Sequence, residues 1–102
     1  MATVVVLYTK PEDVAGFEEH YRAVHVPLAQ AVPGATWTFS RWTGTPRGGD
    51  PDYHLMARAE FADADALQAG LSSQEMRAAG RDAAEVTQRF GNRAVTLIGD
   101  DW

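Results

Sequence analysis

His20-Tyr21-Arg22-Ala23-Val24-His25-Val26-Pro27-Leu28 closes a helix that begins soon after an apolar strand, and its reading decides the architecture. Val14, Phe17, Tyr21, Val24 and Leu28 recur at helical spacing and form one apolar stripe. Pro27 lacks an N–H and disfavours helical geometry at Val26, so the segment is expected to break or kink there. His25 then falls where the helix must stop, and a helix end facing a sheet can point its ring into a cavity. Histidine titrates near neutrality, so such a ring can take and give protons.

Outward from this helix, Thr3–Thr9 is β-branched and apolar and reads as a strand. Lys10-Pro11-Glu12-Asp13 reads as the helix start, with proline early and acids near the positive end of the dipole. Pro33-Gly34 ends the helical segment. Ala35–Thr43 reads as a second strand, Gly44–Pro51 as a loop and Asp52–Phe61 as a third strand. Ala62-Asp63-Ala64-Asp65 opens a short helix running to Leu71. Ser72-Ser73-Gln74-Glu75 reads as the cap of another helix reaching about Phe90, with Glu75 placed for reciprocal capping of Ser72. Met76, Ala79, Ala83, Val86 and Phe90 form its buried face. Gly91-Asn92 stops it, and Arg93–Ile98 reads as the last strand. The order βαββαβ implies an α+β, ferredoxin-like antiparallel sheet with helices on one face.

With 102 residues the chain forms a single domain, 1–102. A net charge of −5 argues against a nucleic-acid partner, which needs a basic face for phosphates. There is no cysteine, so disulfides, thiolate metal sites and cysteine nucleophiles are excluded. No apolar run approaches the roughly 20 residues that span a bilayer, so no membrane association is expected. No leader-like segment precedes the first strand, and the expected location is cytoplasmic.

The strand faces add a further expectation. Val4, Val6 and Tyr8 oppose Val5 and Leu7; Trp37 and Phe39 oppose Thr38, Ser40 and Trp42; Leu55 and Phe61 oppose His54, Met56 and Arg58. A sheet covered by helices on one side should be polar on the other, yet apolar residues occur on both. A second copy of the chain is expected to cover the free face, closing two sheets into a dimeric α+β barrel around a cavity.

The chain resembles the EthD family, named for ethyl tert-butyl ether degradation, within the dimeric α+β barrel superfamily. The resemblance rests on Val5-Val6-Leu7-Tyr8, Phe17-Glu18-Glu19-His20-Tyr21 leading to His25-Val26-Pro27-Leu28, and Pro33-Gly34. It continues through Tyr53-His54-Leu55, Phe61, Ser72-Ser73-Gln74-Glu75 and Asp82. It implies a homodimer with a hydrophobic pocket and acid/base chemistry on a hydrophobic aromatic or polyketide-like small molecule without a cofactor. Cyclases, decarboxylases, dehydratases and oxygenases are the implied enzyme types. The alternative is a non-catalytic binding or accessory protein of an oxidative degradation or biosynthetic pathway.

His25 is the first candidate catalytic residue, as general acid/base; a helix cap bonded to backbone carbonyls is the structural alternative. Asp82 borders the buried face of the last helix and can orient a histidine or act as a base; a solvated charge near Arg77 or Arg81 is slightly favoured. Arg41 shares a strand face with Trp37 and Phe39 and can bind an oxyanion, or form a rim salt bridge. Tyr8 and Tyr53 offer an apolar body with a hydroxyl tip for binding substrate. Trp37, Phe39, Trp42 and Met56 offer surfaces to a flat ligand, or simply core or dimer interface. His54 is placed in the pocket or in the subunit contact. His20 falls at the edge of the stripe, partly exposed. Its five-residue spacing from His25 misplaces the pair for a helical metal site, so no metal is expected.

Overall fold

Alternation along the chain is obeyed in space, and it explains which side of the sheet holds the core. The computed structural model describes residues 1–102. Strands β1 (Ala2–Tyr8), β2 (Thr36–Arg41), β3 (Leu55–Phe61) and β4 (Ala94–Asp100) form one antiparallel sheet in the order β2-β3-β1-β4. Helices α1 (Val14–His20) and α2 (Val26–Gln30) follow β1, joined by a π turn over Tyr21–His25. Helices α3 (Ala64–Leu71) and α4 (Gln74–Phe90) follow β3. This is the ferredoxin-like α+β architecture. Every strand is shorter than or offset from its sequence boundaries; Ala35, Trp42 and Thr43, and residues 52–54, fall outside β2 and β3.

Val4 and Tyr8 face the helices with Ala57, Ala59 and Phe61 across the β1–β3 ladder. One apolar cluster joins Val4, Val32, Phe61 and Leu67; a second joins Tyr8, Phe17, Tyr21, Val86 and Phe90 between α1 and α4. Burying a side chain such as Phe17 contributes about 1.5–3 kcal/mol. The opposite face is divided. Val5 and Leu7 of β1 lie beside Leu97 and Val95 of β4, while Arg58 and Glu60 of β3 lie beside Thr38 and Thr36 of β2. Leu97 is 54% exposed, so the apolar half of this face has no cover within the chain.

Caps set the helix limits. Asp13 accepts the Gly16 N–H at 3.0 Å, so α1 begins at Val14, and Pro11 and Glu12 lie outside it. Ser73, not Ser72, caps α4, accepting the Met76 N–H at 3.1 Å, and Glu75 therefore sits one position too early for a reciprocal bond. Gly91 ends α4 with φ +69°, a left-handed conformation that favours glycine.

The expected break at Pro27 is not found. His25 (φ −70°, ψ −46°) and Val26 (φ −56°, ψ −47°) are both helical, and α2 runs on to Gln30. The irregularity is displaced one turn upstream. A regular α register would bring the proline ring against the carbonyl of Ala23 and demand an N–H that Pro27 lacks. Widening the turn relieves both problems, and the Val26 N–H bonds instead to the Tyr21 carbonyl, five residues back.

Candidate active site

The π turn determines the site. In an α-helix of 3.6 residues per turn, two residues five apart are separated by about 140° around the axis. The i→i+5 turn brings His20 and His25 onto the same side, where both meet one carboxylate on α4. His25 Nδ1 lies 2.9 Å from Asp82 Oδ2, and His20 Nε2 lies 2.8 Å from Asp82 Oδ1. A carboxylate only accepts, so each imidazole donates from the nitrogen that touches it. His25 is thereby held with its proton on Nδ1, and Nε2 is left with a lone pair. Asp82 and His25 are buried, whereas the His20 side chain is 22% exposed.

Aromatic rings fix the orientation of His25. Its ring stacks on Tyr21 with centroids 4.6 Å apart, and Tyr21 stacks on Phe17 at 5.6 Å. These three residues are spaced i, i+4, i+8, so they form a column along the helix. Tyr8 stands edge-on to the column, 5.3 Å from Tyr21 and 6.5 Å from His25. Burial holds the His25 pKa below its ordinary value, and the charge of His20 acts in the same sense, against the hydrogen bond to Asp82 and that carboxylate's charge. The same burial raises Tyr8 to about 12 and pushes Tyr21 up as well, so both phenols stay protonated. The Tyr21 hydroxyl is buried with no hydrogen-bond partner.

Between α4 and the sheet lies a cavity of about 210 Å³, whose walls include His25, Tyr8, Trp37, Met76 and Thr96. The wall is largely apolar. At one end is an imidazole with an unpaired Nε2, which is the equipment of a general base. No group of three or more His, Asp or Glu side chains converges in a way that would hold a metal ion.

Residues 10–89 match the family model described as the EthD domain. The chain belongs to the EthD family. It is 31% identical over 102 residues to an uncharacterized 11.0 kDa protein of Rhodococcus erythropolis from the thcB-thcC intergenic region, covering 99% of this chain and 94% of that one. The crystal structure of an EthD family protein from Bacillus halodurans superposes with a TM-score of 0.89 at 30% identity, covering 100% of this chain and 99% of that one. SnoaB, a cofactor-independent oxygenase from Streptomyces nogalater, shares the fold at a TM-score of 0.66 and 20% identity, covering 98% and 91% of the two chains.

Within this EthD domain the residues singled out from sequence separate into three places. His25, Asp82, Tyr8 and Trp37 meet at the cavity or its edge. Arg41 does not join them: its guanidinium bonds Glu18 at 2.9 Å, its side chain is 54% exposed, and it lines surface clefts. Phe39 lines the cleft of about 320 Å³ beside Arg41 and stacks on Trp37 at 6.0 Å. Tyr53 and His54 border another cleft, of about 380 Å³. The His54 ring bonds Glu18 at 2.9 Å. Burial pushes the Glu18 carboxyl up, but the His54 hydrogen bond and the Arg41 charge outweigh it and hold the pKa below the usual range. Met56 alternates with Leu55 and lies on the free face, away from the cavity.

The balance between a solvated and a buried Asp82 is thus resolved by two histidines, one of them, His20, expected only as a stripe-edge residue. A solvated reading of Asp82 is overturned by its burial and its two hydrogen bonds.

Proposed function

We propose that this EthD protein is a small enzyme that performs acid/base chemistry, without a cofactor, on a hydrophobic small molecule held in the helix–sheet cavity. His25 moves the proton through Nε2. Asp82 holds its tautomer and stabilises the imidazolium that forms, and His20 shares the second carboxylate oxygen. The observation that carries this reading is the 2.9 Å His25–Asp82 hydrogen bond at the wall of an apolar cavity. The oxygenase named among the structures of like fold supports a chemistry that needs no cofactor. Arg41 is tied to Glu18 in the surface clefts, outside the cavity, and so serves stability rather than proton transfer.

The working unit is a homodimer in which the free sheet faces meet. Val5, Leu7, Val95 and Leu97 supply the apolar part of that contact, and an uncovered patch of this kind marks an interaction surface. Sedimentation should give twice the mass of the 11.1 kDa chain, and Leu97→Asp should shift it to monomer. A wild-type monomer at micromolar concentration contradicts the barrel.

The catalytic step is tested by α-proton exchange of a small aromatic ketone, 1-tetralone, in D₂O, followed by proton NMR. Deuteration accelerated by the wild type and lost in His25→Gln supports base catalysis. Binding of the ketone without exchange supports the second reading, a carrier of hydrophobic metabolites, and removes His25 from chemistry.

A further inference from the structure

Trp37 projects from β2 toward the helices, its indole forms part of the cavity wall, and its Nε1 is buried without a hydrogen-bond partner. A buried indole N–H ordinarily finds an acceptor, because leaving it unpaired forfeits its hydration with no return. Nothing around it supplies one. Phe39 stacks on the indole with planes 8° apart, and the apolar Val4, Ala57 and Met76 share the cavity wall with it. Of the other polar groups of the wall, the Tyr8 and Thr96 hydroxyls can donate or accept, and the bare His25 Nε2 accepts. The indole only donates, so its missing partner must be an acceptor.

Two features of the cavity narrow that partner. No cationic Lys or Arg side chain lines the wall, so a carboxylate would be left without a counter-charge in an apolar setting. The volume, about 210 Å³, lies below the roughly 300–1,000 Å³ of pockets for drug-sized ligands. We propose that Trp37 is the oxygen-recognising donor of this cavity, and that its ligand is a mostly apolar molecule of one or two rings bearing a neutral carbonyl oxygen. The proposal rests on the reading of the cavity as the ligand site and adds the group that selects within it. With a carbonyl on Trp37, a proton on the adjacent carbon is acidified as charge develops on that oxygen, which is the proton a base such as His25 can remove.

The test uses a matched pair, 1-tetralone and tetralin, which share a bicyclic skeleton and differ by one carbonyl. Each is titrated into ¹⁵N-labelled protein, with the Trp37 indole cross-peak assigned by elimination through replacement of the exposed Trp42 and Trp102 by phenylalanine. Wild type should bind 1-tetralone about three- to tenfold more tightly than tetralin, the value of one hydrogen bond. The Trp37 indole proton should move downfield with the ketone only, and Trp37→Phe should bind the two alike. Equal binding to wild type, or a preference that survives in Trp37→Phe, overturns the role of Trp37 while leaving the cavity a ligand site; a trapped water satisfying the N–H would give that result. Binding of neither compound overturns the cavity reading and this proposal with it. Should the variant fail to fold, the wild-type indole shift decides: movement with the ketone alone upholds the donor, and no movement overturns it.

Discussion

Replacing Asp82 by alanine removes the acceptor of two imidazole N–H groups at once. A hydrogen bond to a charged group contributes about 1.5–3 kcal/mol net of desolvation. The His25 bond is buried, so its loss carries the full amount and leaves Nδ1–H unpaired. His20 is partly exposed and can turn toward water, so its loss adds about 1 kcal/mol or less. The sum is a destabilisation of about 2–4 kcal/mol. For a domain of this size each kcal/mol lowers Tm by about 4–8 °C, so Asp82→Ala should melt roughly 8–32 °C below wild type. Asp82→Asn keeps one acceptor oxygen and should lose about half as much, with one histidine forced to present a bare nitrogen to the new amide. Urea unfolding near pH 7.5, followed by far-ultraviolet circular dichroism, measures both. An Asp82→Ala protein within about 0.5 kcal/mol of wild type would refute the reasoning, because surface changes fall in that range.

Acidification should destabilise the fold in two stages. The His25 pKa is lowered in the folded state, so the unfolded chain binds the proton first, and stability present above about 6.5 is lost as the pH falls below it. Glu18 is also lowered, so its contribution is lost as the pH falls through about 4.5 and below. Urea midpoints measured from pH 8 to about 3 should decline in that order; a rise between pH 7 and 5 contradicts the His25 assignment, and a rise below about 4.5 contradicts that of Glu18. Two glycines of neighbouring helices should respond oppositely to alanine. A Cβ on Gly70 would lie 2.5 Å from Phe61 Cε1 and 3.2 Å from the Pro33 carbonyl, so overpacking of about 1–3 kcal/mol should outweigh the gain in helix propensity. A Cβ on Gly80 meets nothing within 4 Å, so Gly80→Ala should stabilise α4 by about 0.5–1 kcal/mol. Melting curves of the two variants check the signs.

Strand alternation carries most of the fold, because burial on one face imposes a period of two that survives in the residues themselves. It groups Val4 with Tyr8 and Trp37 with Phe39, and in the structure all four lie on the face that meets the helices. Met56 is separated from Leu55 by alternation, but only the β2–β3 register, which pairs it with Ser40, shows that it cannot share a cavity with Trp37. His20 is different. Its role depends on a turn widened by one residue, and helical periodicity taken at 3.6 assigns it to the wrong side. Pro27 is the visible trace of that turn, but a proline signals only that the α register must give way, not whether it breaks or widens. Asp82 sits one position from Ala83, and whether its carboxylate is solvated depends on partners 57 and 62 residues away in the chain. Arg41 has the correct strand face, but Glu18, which holds it in the surface clefts, comes from another element.

The central claim is that His25 is a neutral base aimed by Asp82. Long-range ¹H–¹⁵N correlation NMR of the ring nitrogens, recorded at pH 7.5, reads the tautomer directly. The account predicts a proton on Nδ1, a bare Nε2, and loss of this single form in Asp82→Asn. A proton on Nε2, or a doubly protonated ring at that pH, would contradict it.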